Sequence, residues 1–267
     1  MEAVVGVGSR PQDAVQGRQE AGGPMSDREL RELELASASG DDALEAWLRA
    51  GLRSGALVQS QVALAARLGA QVAQRVSGVP RLARPWTNLR FERWIGKLLD
   101  PSEATDALHF RSLCVRGAIG AARAALPPWE AVFPGDPAVA EIIAAAEAWC
   151  ECPCDKHAEA LSAARRFELH PLLAFRVQGP RDLLPARRRA RRALEAAGRI
   201  QSIVGLGFLR IPEPPSVEHM AEGFLEGWGD QAQWAGAAAG VNAVCQGIHD
   251  ELVPWLLSSS SQPQARD

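Results

Sequence analysis

A strand with one buried face shows in sequence as strict alternation of apolar and polar residues, enriched in β-branched types. No run in this chain combines the two, whereas apolar residues recur at helical spacing almost throughout. That pattern argues against sandwiches, barrels and parallel-sheet folds and leaves an all-α chain. The spacing predicts helices at about 26–38, 42–53, 60–76, 87–99, 103–126, 137–151, 155–177, 181–199, 216–228 and 231–257. Proline and glycine clusters separate them, among them Pro80 to Pro85, Pro127-Pro128, Pro134 to Pro137, Gly179-Pro180 and Pro212 to Pro215. Segment 200–211, IQSIVGLGFLRI, reads equally as a helix continuation or a buried extended strip.

Residues 1–24 lack an amphipathic period and carry glycine and proline. They read as a disordered tail, or as an over-called start with Met25 as the true initiator. Ser26 followed by Glu29 is a capping box for the first helix. Residues 25–100 then form an N-terminal helical subdomain. Within it ELASASGDDALEAW (34–47) echoes ALAARLGAQVAQRV (63–76), with Gly40 matching Gly69. Small residues beside a glycine suit a tight helical hairpin, so this portion reads as repeat-like, although the turn signature of ankyrin repeats is missing. Residues 101–258 are alanine-dominated and read as one irregular antiparallel bundle, with 259–267 as a flexible tail. Alanine faces bring helices close, and Trp129, Trp149, Trp228, Trp234 and Trp255 fill the gaps they leave.

Hydrophobic residues make up 47% of the chain, enough for a packed core, and a formal charge of −3 suggests no polyelectrolyte partner. The longest apolar stretches are too short and too charged to span a membrane, and no secretory leader opens the chain, so a cytoplasmic location is expected. Of the 29 basic residues only Lys97 and Lys156 are lysines, a bias that GC-rich coding produces without any phosphate ligand. Five cysteines with no export signal argue against a disulfide framework and leave reduced thiols or a metal site.

Three of those cysteines fall in WCECPCDKH, residues 149–157. Cys150 ends one helix, Pro153 breaks the chain and Asp155 is placed to cap the next helix. Cys150, Cys152, Cys154 and His157 are the candidate metal ligands, and thiolate plus imidazole suits zinc. Against this, all four sit within eight residues, whereas structural zinc sites usually join ligand pairs from separate segments. Cys154, near a helix N-terminus, is also a candidate reactive thiol. The third reading is a plain interhelical turn with small, partly buried side chains.

Arg187, Arg188, Arg189, Arg191 and Arg192 share one predicted helix, which could lie on phosphates. No aromatic residues interleave for base stacking, and a solvated face paired with acidic neighbours accounts for the run. The histidines (His109, His157, His170, His219 and His249) are scattered. Ser216 with Glu218-His219, and His249-Asp250-Glu251, carry acid–base groups, but no catalytic motif frames them. The sequence gives no support for an enzyme.

The stretch WEAVFPGDPAVAEIIAAAEAWCECPCDKHAEALSAARR resembles a class of alanine-rich helical bacterial proteins. They carry a W-E-x-x-x-P-x-D-P segment, an A-A-x-A-W helix and a cysteine-proline-cysteine turn with a histidine. The ending IHDELVPWLL resembles their last helix. More loosely, residues 105–257 are similar to helical proteins described as immunity proteins, which neutralise a toxin by binding it. The resemblance implies a non-catalytic, soluble binding protein whose partner is another protein, and it brings no catalytic residues. The alternatives are a metal-binding or thiol-dependent protein working through the cysteine turn, and nucleic-acid association through the arginine helix.

Overall fold

The computed structural model describes residues 25–99, 106–164, 184–205 and 216–258. Among these residues there is no strand, and eleven α-helices with two short 3₁₀ turns carry the fold. They are α1 Asp27–Ala36, α2 Asp41–Ser54, α3 Gln59–Leu68, α4 Gln71–Ser77, α5 Phe91–Leu98, α6 Ala107–Glu130, α7 Ala138–Glu151, α8 Asp155–Ala164, α9 Leu184–Gly205, α10 Val217–Ala239 and α11 Val241–Leu256. The tails 1–24 and 259–267, the 100/101 boundary, and the expected helix segments at 165–177 and 181–183 lie outside the described residues.

Helix α6 organises the molecule. Its run LCVRGAIGAA has no polar face, and Leu113, Cys114, Val115, Ala118, Ile119, Ala121 and Ala122 are all buried. A helix apolar nearly all round must be covered nearly all round. Helices α7, α9, α10 and α11 supply that cover, and α11 also packs on α3. The buried apolar residues form one cluster running from Trp47 to Leu257. The Trp47 indole N–H ties α2 to the residue that follows α11 by donating to the Leu257 carbonyl at 2.8 Å.

The closest helix crossings rest on glycine rather than alanine. The Trp228 indole of α10 lies on Gly117 of α6, where a Cβ would come within 2.2 Å of the ring. Gly120 of α6 meets Gly247 of α11 backbone to backbone, a Cβ on either falling 2.3–2.4 Å from the other's carbonyl oxygen. On α10, Gly229 admits the Glu92 backbone and Gly236 admits Phe91 and Asn88. Arg123 of α6 ion-pairs with both Glu147 of α7 and Glu251 of α11, clamping the crossing from outside.

Several expected boundaries move. The capping box at Ser26 and Glu29 forms, with Ser26 N–H donating to Glu29 at 2.8 Å and Glu29 N–H to the Ser26 hydroxyl at 3.3 Å. The expected helix 60–76 splits into α3 and α4 because Gly69 takes φ +113°, a left-handed cap that ends α3. Gly40, its partner in the sequence echo, also joins two helices but at φ 155° and ψ 175°. Pro127 and Pro128 do not end α6. Two N–H donors are lost there, yet Trp129 beyond them is fully buried and its indole donates to the Asp136 carbonyl, which holds the last turn helical. The break expected between 228 and 231 is absent, because Gly229 serves packing, and the chain turns at Gly240 with φ +95°. Of the ambiguous segment, residues 200–205 continue α9 as helix, and 206–211 lie outside the described residues.

Candidate functional site

The turn between α7 and α8 gathers three of the four candidate ligands. Cys152 closes α7, its N–H donating to the Ala148 carbonyl at 3.1 Å. Pro153 has no N–H to give, and the Cys154 N–H reaches back across it to the Cys152 carbonyl at 2.8 Å, a three-residue turn. Helix α8 begins at Asp155, so Cys154 rather than Asp155 holds the capping position, and its carbonyl accepts the first helical bond from Ala158 at 3.0 Å. His157, one turn on, points back. Its Nδ1 lies 2.9 Å from the Cys152 carbonyl and 3.3 Å from the Cys154 sulfur. A carbonyl only accepts, so Nδ1 carries the ring proton in this arrangement. The ligand atoms of Cys152, Cys154 and His157 all lie within 4.8 Å of one another.

Cys150 is not in that group. It packs against the core, and burial pushes its thiol up to about 12. Its helical phase gives the signal: Val139, Ile142, Ile143, Ala146 and Trp149 form the buried stripe of α7, and position 150 falls beside it. The two distant cysteines are also inward. Burial raises Cys114 well above the usual thiol range and Cys245 to about 11. Cys154 moves the other way. The His157 backbone N–H, then the Cys152 side chain, hydrogen-bond its sulfur and hold it below the usual value, as expected for a thiol seated on a helix N-terminus. Alkylation with iodoacetamide at neutral pH, mapped by mass spectrometry, should therefore modify Cys152 and Cys154 first. Cys114, Cys150 and Cys245 should react only as the protein unfolds, and early labelling of Cys114 would contradict the packing of α6.

The other candidate groups have structural partners. Of the arginine run on α9, Arg191 pairs with Glu195 at 2.8 Å and Arg192 donates to the Ala237 carbonyl near the end of α10, while Arg188 and Arg189 are exposed. Ser216 caps α10, accepting from the His219 N–H at 3.2 Å. His109 stacks on Trp255 with ring centroids 5.5 Å apart, and burial lowers its pKa. His249 lies 3.0 Å from the Asp250 carboxylate, and His170 lies outside the described residues. No serine, histidine and carboxylate converge in the bonding pattern of a catalytic triad among these groups.

One surface feature lies just ahead of α5, where the expected helix 87–99 starts as a short 3₁₀ turn at Asn88–Arg90 and becomes α-helical only at Phe91. Trp86 is 78% exposed and Leu89 73%, whereas Trp47, Trp94, Trp129, Trp149 and Trp228 are buried. The base of this projection is fixed. Pro85 before it and Phe91 after it are buried, and Asn88 between them sits over Gly236 of α10. The Arg90 guanidinium lies 5.2 Å from the Trp86 ring centroid and completes the knob.

No protein-family model, curated protein or solved structure matches the chain. Among the described residues, no helix is long and apolar enough to cross a membrane.

Proposed function

We propose that this is a non-catalytic binding protein that recognises another protein through its outer surface, with the Trp86–Leu89 knob at the centre of the contact. The observation that carries the reading is two large apolar side chains projecting from a turn anchored on both sides. Single exposed apolar residues are ordinary, but a tryptophan with an arginine over its ring pairs two of the residue types enriched in binding hot spots, and Leu89 adds apolar area beside them. Fixing the base lowers the ordering entropy lost on association. The resemblance of residues 105–257 to immunity proteins makes a protein toxin the proposed partner class, and a cytoplasmic site of action goes with it.

The test is a comparison between the full chain and its Trp86→Ala/Leu89→Ala variant as baits in lysate of the native host. The reading predicts a protein retained by the first and lost by the second, at unchanged helicity. That protein should arrest growth when expressed alone and be silenced by co-expression of the wild-type chain. Equal retention by both baits would remove the knob from the interface, and a captured partner without toxicity would remove the immunity-like role.

A further inference from the structure

We propose that Cys152, Cys154 and His157 form a three-ligand zinc site with an open fourth position. The three side chains converge on one point beside the turn. Zinc–sulfur bonds of about 2.3 Å and zinc–nitrogen bonds of about 2.0–2.1 Å in a tetrahedron place ligand atoms about 3.6–3.8 Å apart. The three ligand atoms lie within 4.8 Å of one another, and the Cys154 sulfur is 3.3 Å from His157 Nδ1. Their spread exceeds the tetrahedral separation by about 1 Å, which is within the reach of side-chain rotation between staggered positions.

The backbone explains why so short a segment can do this. Pro153 forces the three-residue turn that sets both sulfurs on one side of the chain, and the first turn of α8 returns His157 to the same place. The short spacing denies the ion any long loop to close, but it does not prevent coordination. It does mean that the unfolded segment keeps all three ligands, so zinc adds less to thermal stability than its affinity would suggest.

Both thiols release their protons to the buffer as the sulfurs bond to zinc. The ring proton moves from Nδ1 to Nε2, and the Nδ1 bond to the Cys152 carbonyl is given up. The carbonyl keeps the Cys154 N–H as a donor, so it is not stranded. Among the described residues no fourth histidine, cysteine or carboxylate joins the group, and Cys152 is exposed. The remaining position therefore opens to solvent, where water or an incoming donor atom completes the tetrahedron. Closed four-ligand sites are structural, whereas this one is built to exchange its last ligand.

The experiment uses the full reduced chain, stripped of metal, in zinc competition against a chromophoric chelator of micromolar affinity, with cobalt substitution as a second readout. The expected result is one equivalent of zinc, a cobalt spectrum with thiolate charge-transfer absorption, and release of protons on binding. Cys152→Ser and Cys154→Ser should each weaken zinc by at least the 10–100-fold, roughly, that loss of an outer-shell partner brings. Cys150→Ser should bind as the wild type does. Circular dichroism establishes that each variant keeps its helices. Failure to compete with the chelator would overturn the site, as would zinc binding that survives Cys154→Ser or is lost with Cys150→Ser.

Discussion

Alanine in place of Gly247 is expected to lower stability by about 2–3 kcal/mol, the scale of overpacking in a closed core. Two effects oppose each other. Within a helix, alanine is better than glycine by about 1 kcal/mol, so an open site would gain. At this crossing the new methyl carbon would fall 2.3 Å from the Gly120 carbonyl oxygen, and backbone cannot swing aside as a side chain can. Helices α6 and α11 must separate, which also disturbs buried residues near the pair in each helix, Ile119 on α6 and Val244 and Ile248 on α11. Packing therefore outweighs propensity. Gly96 on α5 provides the control, since it is exposed and nothing lies within 4 Å of its added Cβ. Gly96→Ala should raise stability by about 0.5–1 kcal/mol. Urea unfolding followed by circular dichroism compares the two directly. A stabilising Gly247→Ala would show that α6 and α11 do not cross at this pair.

Trp47→Ala is expected to cost more, about 3–5 kcal/mol, as for other large-to-small changes of a fully buried aromatic. The side chain has no exposed surface and an aromatic of its size removes about 150–250 Å² from water. The substitution also strands the Leu257 carbonyl, which accepts the indole N–H. Trp47→Phe separates the two contributions. It keeps much of the burial and leaves the carbonyl unsatisfied, a loss of about 1–3 kcal/mol. Trp86→Ala, the exposed counterpart, should shift stability by no more than about 0.5 kcal/mol. Thermal melts of the three variants rank them, and a Trp47→Ala variant that melts like wild type would refute the tie between α2 and the end of α11.

The helical class was legible because it depends on local period, and the period is strong in α1, α2 and α5. What periodicity could not supply was the role of each glycine. Gly69, Gly229 and Gly240 look alike in sequence, yet two turn the chain and one admits a neighbouring backbone. The difference lies in distant residues, Glu92 for Gly229, which no local window contains. Pro127 and Pro128 misled for the same reason, since the anchor that keeps their turn helical is the burial of Trp129. At the cysteine turn the approach of Cys154 to His157 was readable from their three-residue spacing, whereas the same short spacing counted against a metal site. The separation of Cys150 was readable too, but only by extending the apolar stripe of α7 to its last residues. Trp86 was hidden because exposure in a connection follows no period, and Leu89 because the expected helix 87–99 becomes α-helical only at Phe91.

The placement of α6 at the centre has a bearing on how the polypeptide can be made. During synthesis α6 leaves the ribosome long before α10 and α11, which cover two of its sides, and the Trp47 N–H must wait 210 residues for its acceptor. Domains generally fold as units while the chain is still growing. Here the cover of α6 is not complete until α11 emerges, so the nascent chain carries a partly uncovered apolar rod over the more than 100 residues between the two helices. Prematurely terminated products should accordingly be bound by chaperones or degraded rather than accumulate as smaller folded species.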